Sequence, residues 1–85
     1  MARMTLSAQG WITSFARELG ILEPSPEEIE TLLALAGVAA YSSERTAAPI
    51  SCWIAASAAV APSRALDIAE SLAARLETDR TSDSS

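Results

Sequence analysis

Three acidic side chains, one thiol, two indoles and one arginine-bearing loop are the groups in this 85-residue chain whose type and spacing could do chemistry. Glu27, Glu28 and Glu30 form the densest acidic group. A carboxylate pair does acid/base work only when its environment separates the two pKa values. These three follow Ser25-Pro26, however, and Ser-Pro-Glu-Glu is the signature of a helix N-terminus with a capping box, which accounts for them without catalysis. Cys52 could act as a nucleophile, but a thiolate needs a neighbouring base or cation. The chain holds no histidine, and Cys52 lies between Ser51 and Trp53. A small apolar residue on a helix is the expected role. Trp11 and Trp53 could each stack on a ring-bearing ligand, yet both stand among apolar residues at helical spacing, so a place in the core is expected for both. Glu44 and Arg45 precede the third helix. An arginine beside free helix amides suits an anion, whereas Arg45 paired with a carboxylate would only tie the loop down. Tyr41, Glu44, Arg45 and Trp53 are therefore the candidate binding residues, and no catalytic or metal-ligating residue is assigned.

Composition excludes several classes of function. With no histidine and one cysteine, a zinc or iron site has too few ligands, and no cofactor is expected. The net charge is -5, from 11 acidic and 6 basic residues, and all six basic residues are dispersed arginines. Such a chain lacks the basic patch that nucleic acid or an anionic membrane requires. Met1 to Leu6 has no apolar stretch of the signal-peptide kind, and the apolar run Ala47 to Ala61 is too short to span a bilayer. A lone cysteine permits no internal disulfide, and a bacterial cytoplasm is the expected location.

The elements that must position these groups are helices. Ser7 caps a first helix over 7 to 19, with Leu6 and Trp11 placed as a hydrophobic staple and Gly20 at its end. Trp11, Ile12, Phe15, Ala16 and Leu19 share one face. The second helix, 26 to 42, carries the stripe Ile29, Leu32, Leu33, Ala36 and Ala40, widened by Leu35, Val38 and Ala39. Glu44 to Ala48 reads as a loop, and Pro49 opens a third helix over 49 to 60. Its stripe is Ile50, Trp53, Ile54 and Ala58, and so little polar surface remains that it is expected at the centre of the molecule and as part of a contact surface. A fourth helix over 63 to 77 turns Ala65, Ile68, Ala69, Leu72, Ala73 and Leu76 inward. The expected architecture is all-α, a small antiparallel four-helix bundle over 7–77, with an N-terminal tail over 1–6 and a disordered C-terminal tail over 78–85.

The stretch Leu32-Leu33-Ala34-Leu35-Ala36, then Tyr41, then Arg45-Thr46-Ala47-Ala48-Pro49-Ile50-Ser51 resembles a small helical domain of unknown function from high-GC actinobacteria. That domain occurs alone or fused behind a MobA-like nucleotidyltransferase, the enzyme type that attaches a nucleotide to the molybdenum cofactor. The family pattern is a Leu-rich helix, a histidine, then Arg-Pro-Ala-Ala-Pro-Leu-Thr before an apolar helix. Arg45 and Pro49 match it. Tyr41 stands in place of the histidine and Thr46 in place of the first proline, so a function resting on that histidine would be missing here. The resemblance implies a non-catalytic accessory or protein-interaction domain associated with molybdenum cofactor biosynthesis, with such a nucleotidyltransferase as partner. Two other functions fit the residues: a carrier of a small anionic ring-bearing ligand held near Arg45, Tyr41 and Trp53, and a structural homodimer.

Overall fold

The computed structural model of the chain describes the backbone of residues 7–83 and the side chains of residues 7–78. Four helices follow one another: α1 (Ala8–Leu19), α2 (Pro26–Ser42), α3 (Ala47–Ser57) and α4 (Pro62–Asp83). The fold is all-α and consistent with a small four-helix bundle, with no strand among the described residues.

Local chemistry sets most of the boundaries. The Ser7 hydroxyl accepts from the Gly10 N–H at 3.0 Å and opens α1. The staple expected between Leu6 and Trp11 lies outside the described residues, as does the tail over 1–6. At α2 the capping box closes both ways. Ser25 Oγ accepts from the Glu28 N–H at 3.1 Å, and the Ser25 N–H donates to Glu28 Oε1 at 2.8 Å. Two of the amides orphaned at the helix start are thereby satisfied.

Three boundaries differ by more than one residue from the sequence expectation. α3 starts two residues earlier than Pro49 and stops at Ser57 instead of Val60. Pro49 fits inside the first turn because the amide it lacks there has no intrahelical acceptor. The early stop comes from Ala59, which adopts a left-handed conformation at φ 59°. The Val60 N–H reaches back to Ala55 O at 3.2 Å and the Ala59 N–H to Ala56 O at 3.0 Å, a Schellman closure. α4, expected to end near Glu77 before a disordered tail over 78–85, continues as helix through Asp83. Ser84 and Ser85 lie outside the described residues.

Gly20 closes α1 by the same geometry at φ 74°, with the Ile21 N–H bonded to Ala16 O at 3.0 Å. Gly20 has no Cβ to strain, whereas Ala59 does. Ala59→Gly is therefore expected to stabilise the chain by about 0.5 to 1 kcal/mol, once glycine's extra freedom in the unfolded state is deducted. A thermal melt at matched chain concentration checks it, and a lower midpoint would show that the left-handed turn carries no strain.

The packing centre is α2, which lies against both α3 and α4. This corrects the expected central place of α3, which has no buried residue. It also corrects which faces look inward. On α3 the half-buried side chains are small, Ala47, Ala48, Ser51, Cys52 and Ala55, while Ile50, Trp53 and Ile54 point to solvent. On α4, Ala65 is buried and Leu66, Ala69 and Ala73 are half-buried, whereas Ile68, Leu72 and Leu76 stay exposed. Small residues four apart let two helix backbones approach closely, and most of the larger side chains of α3 and α4 are left flanking the seam. Only Ala16, Leu35 and Ala65 are buried among the described residues. The radius of gyration is 16.0 Å, against about 12 Å for a compact chain of this length.

Candidate functional site

Tyr41, Glu44 and Arg45 lie along the corner between α2 and α3, and Trp53 lies further on, within α3. α2 ends where the Ser43 backbone leaves helical geometry, its N–H still bonded to Ala39 O at 3.0 Å. The next three residues form a tight turn. The Ala47 N–H donates to Glu44 O at 2.9 Å and the Ala48 N–H to Arg45 O at 3.1 Å. Thr46 occupies the N-cap position of α3 but makes no side-chain cap.

This geometry decides what the corner can bind. An anion at a helix start needs unpaired amides. Here the Ala47 and Ala48 amides are already bonded to the turn, and Pro49 has none. The Arg45 guanidinium and the Thr46 hydroxyl remain as side-chain donors. Arg45 makes no ion pair among the described residues, so the alternative in which it ties the loop to a carboxylate is not what the structure shows. Glu44 and Arg45 do come together, lining an open recess with Thr46 and Pro49. Tyr41 faces elsewhere. It is 96% exposed and borders a separate recess with Ser42, Ala73, Leu76 and Glu77. Trp53 is 70% exposed and lines neither recess. The four candidates thus do not converge on one pocket.

The remaining groups are placed as follows. Cys52 is a free, half-buried thiol on the side of α3 that turns toward α2. Glu28 is held in the capping box, and Glu27 and Glu30 are exposed on the first turns of α2. No cluster of three metal-ligating side chains occurs among the described residues. No helix there is long and apolar enough to cross a membrane.

Two features carry surface chemistry that the sequence patterns do not point to. Glu23 Oε2 accepts from Thr13 Oγ1 at 3.2 Å and from Gln9 Nε2 at 3.3 Å, clipping the α1–α2 connection onto α1. No periodicity rule links a loop carboxylate to residues 10 and 14 positions earlier, so this contact had no local signal. The second feature is apolar. Trp11 and Phe15, both expected to be covered, are more than half exposed, their rings stacked at 5.7 Å between centroids and 14° between planes. Leu19, Ile21 and Leu22 extend the same exposed surface. Here the expectation of a core place for Trp11 and Trp53 fails: α2 packs against α3 and α4 and not against α1, so nothing covers the Trp11 ring, and the side of α3 that meets α2 is the one with small residues, so Trp53 points away from it.

The model of one protein family, described as a domain of unknown function (DUF6457), matches residues 4–83 of the chain. No curated protein and no solved structure matches it.

Proposed function

The chain belongs to this family of domains of unknown function, and from that premise we propose that it is a non-catalytic protein-interaction domain acting as an accessory in molybdenum cofactor biosynthesis. One observation carries the interaction reading. Thirteen large hydrophobic side chains are exposed while three residues are buried among the described ones. Apolar surface on that scale marks a site for another protein.

The partner rests on the resemblance of the Leu32–Ala36, Tyr41 and Arg45–Ser51 stretches to a domain found fused to MobA-like nucleotidyltransferases. The corner that holds Tyr41 and Arg45 presents an exposed aromatic ring and a guanidinium with no ion pair among the described residues, two side-chain types enriched where interfaces draw their energy. The non-catalytic reading is supported by the lack of histidine in the chain and by the role of Glu28 as a cap. The carrier alternative has less support. Ligand sites enclose roughly 70 to 90% of a small molecule, whereas the recesses here are open and the candidate residues are split between them.

Titrating a MobA-like nucleotidyltransferase from the same organism into the chain, by calorimetry, tests the reading. Binding is expected, with Tyr41→Ala plus Arg45→Glu weakening it at least about tenfold, or about 1.4 kcal/mol. Cys52→Ser is expected to leave any activity of the mixture unchanged. No binding at about 0.1 mM, the weak end of specific association, would remove the proposed partner.

A further inference from the structure

Residues 20–25 join α1 to α2, and each hydrogen bond they make belongs to one helix or the other. On the α1 side the Gly20 N–H donates to Arg17 O at 3.1 Å and the Ile21 N–H to Ala16 O at 3.0 Å, while Glu23 Oε2 accepts from Gln9 and Thr13. On the α2 side Ser25 is held in the capping box with Glu28. Among the described residues no hydrogen bond crosses from 7–23 to 25–78. Packing does not bridge the gap either. α2 lies against α3 and α4, and α1 makes no comparable contact with any helix. Ala16, the one buried residue of α1, lines a recess with Ile21, Leu22 and Glu23 of its own connection. Residues 7–23 thus form one body and residues 25–78 another, with Pro24 between them.

The sequence Glu23-Pro24-Ser25-Pro26 leaves this junction few torsions. Peptide bonds are planar, and the proline ring fixes φ of Pro24 at about -65°. A residue that precedes proline is held in extended backbone, out of the helical region. That restriction falls on Glu23, before Pro24, and on Ser25, before Pro26. Ser25 is accordingly extended, at φ -70° and ψ 161°. The ψ angle of Pro24 is the torsion left soft, because the residue after it is serine. It has two wells, an extended one near about 145° and a helical one near about -30°.

We propose that α1 and its connection form a rigid arm with two positions relative to α2, α3 and α4, set by ψ of Pro24. Helices of about 12 residues are marginal on their own in water, and α1 has 12. The Ser7 cap, the Gly20 closure and the Glu23 clip hold the arm helical in both positions without help from α2. Trp11, Phe15 and Leu19 travel with it, so this exposed surface moves as one piece relative to the Tyr41–Arg45 corner. The proposal does not rest on the interaction reading.

Distances between spin labels test it. The labels go on Ser14→Cys of α1 and Ser71→Cys of α4, both exposed positions, in a Cys52→Ser chain. Dilution with unlabelled chain ensures that only distances within one molecule are read. Two distances are expected. A control pair, Glu30→Cys on α2 with Ser71→Cys, should give one narrow distance. Pro24→Gly releases φ at the junction and should merge the two α1–α4 distances into one broad distribution, with the control unchanged. A single α1–α4 distance as narrow as the control overturns the proposal, and so do two distances that Pro24→Gly leaves as they were. Residual dipolar couplings of the unmodified chain give a second reading should the labelled variants not fold. The couplings of α1 are expected to be reduced by averaging relative to those of the other helices, and one alignment tensor that fits all four helices overturns the arm. Failure of the nucleotidyltransferase titration would change none of these readings.

Discussion

Leu35→Ala is expected to unfold the chain at ambient temperature or to leave it without a cooperative melt. Leu35 is 3% exposed, and it is the one large side chain buried among the described residues. It sits on α2 where that helix meets both α3 and α4. Truncating a buried leucine costs about 2 to 5 kcal/mol through lost burial and the cavity left behind. A core in a chain of this size supplies only about 3 to 5 kcal/mol in all, so one substitution consumes most of the margin. Leu33→Ala, two positions away and 68% exposed, should stay within about 0.5 kcal/mol. Both are read from thermal melts at one chain concentration, because association raises apparent stability. Equal losses at the two positions would mean that the core is not where Leu35 places it.

The second large effect is expected at Ala65, which is 7% exposed on the side of α4 that meets α2. Ala65→Leu should cost about 1 to 3 kcal/mol, because the added carbons must push apart two backbones held close by small residues. Leucine forms helix nearly as well as alanine, so helix propensity does not confound the comparison. Ala74→Leu is the control, on the same helix but exposed, and little change is expected there. A loss below about 1 kcal/mol at Ala65, or about 4 to 8 °C in midpoint, would show that α2 and α4 are not in close contact at that alanine.

The sequence by itself determined that the chain is helical and where most helices begin. Ser7, the Ser25–Glu28 box, Gly20, Pro26 and Pro62 act on their own neighbours within a few residues, and local hydrogen-bonding chemistry needs no knowledge of the fold. It also determined which residues share a helix face, since that follows from 3.6 residues per turn. It did not determine which face is covered. On α3 the large stripe Ile50, Trp53 and Ile54 reads as the core, and the structure buries the small side instead. The reason is distance: alanine and serine let α3 and α4 approach α2 closely, and with the small side of α3 turned toward α2, Trp53 points away from it. For the same reason α2, not α3, is the centre. The left-handed Ala59 was hidden because alanine carries no mark of that conformation, and the Glu23 clip was hidden because it joins residues with no periodic relation. Of the candidate site, the sequence supplied the exposed Tyr41 and the paired positions of Glu44 and Arg45. Only the tertiary structure separated Tyr41 and Trp53 from that pair, because the orientation of each side chain follows from how its helix is turned against α2.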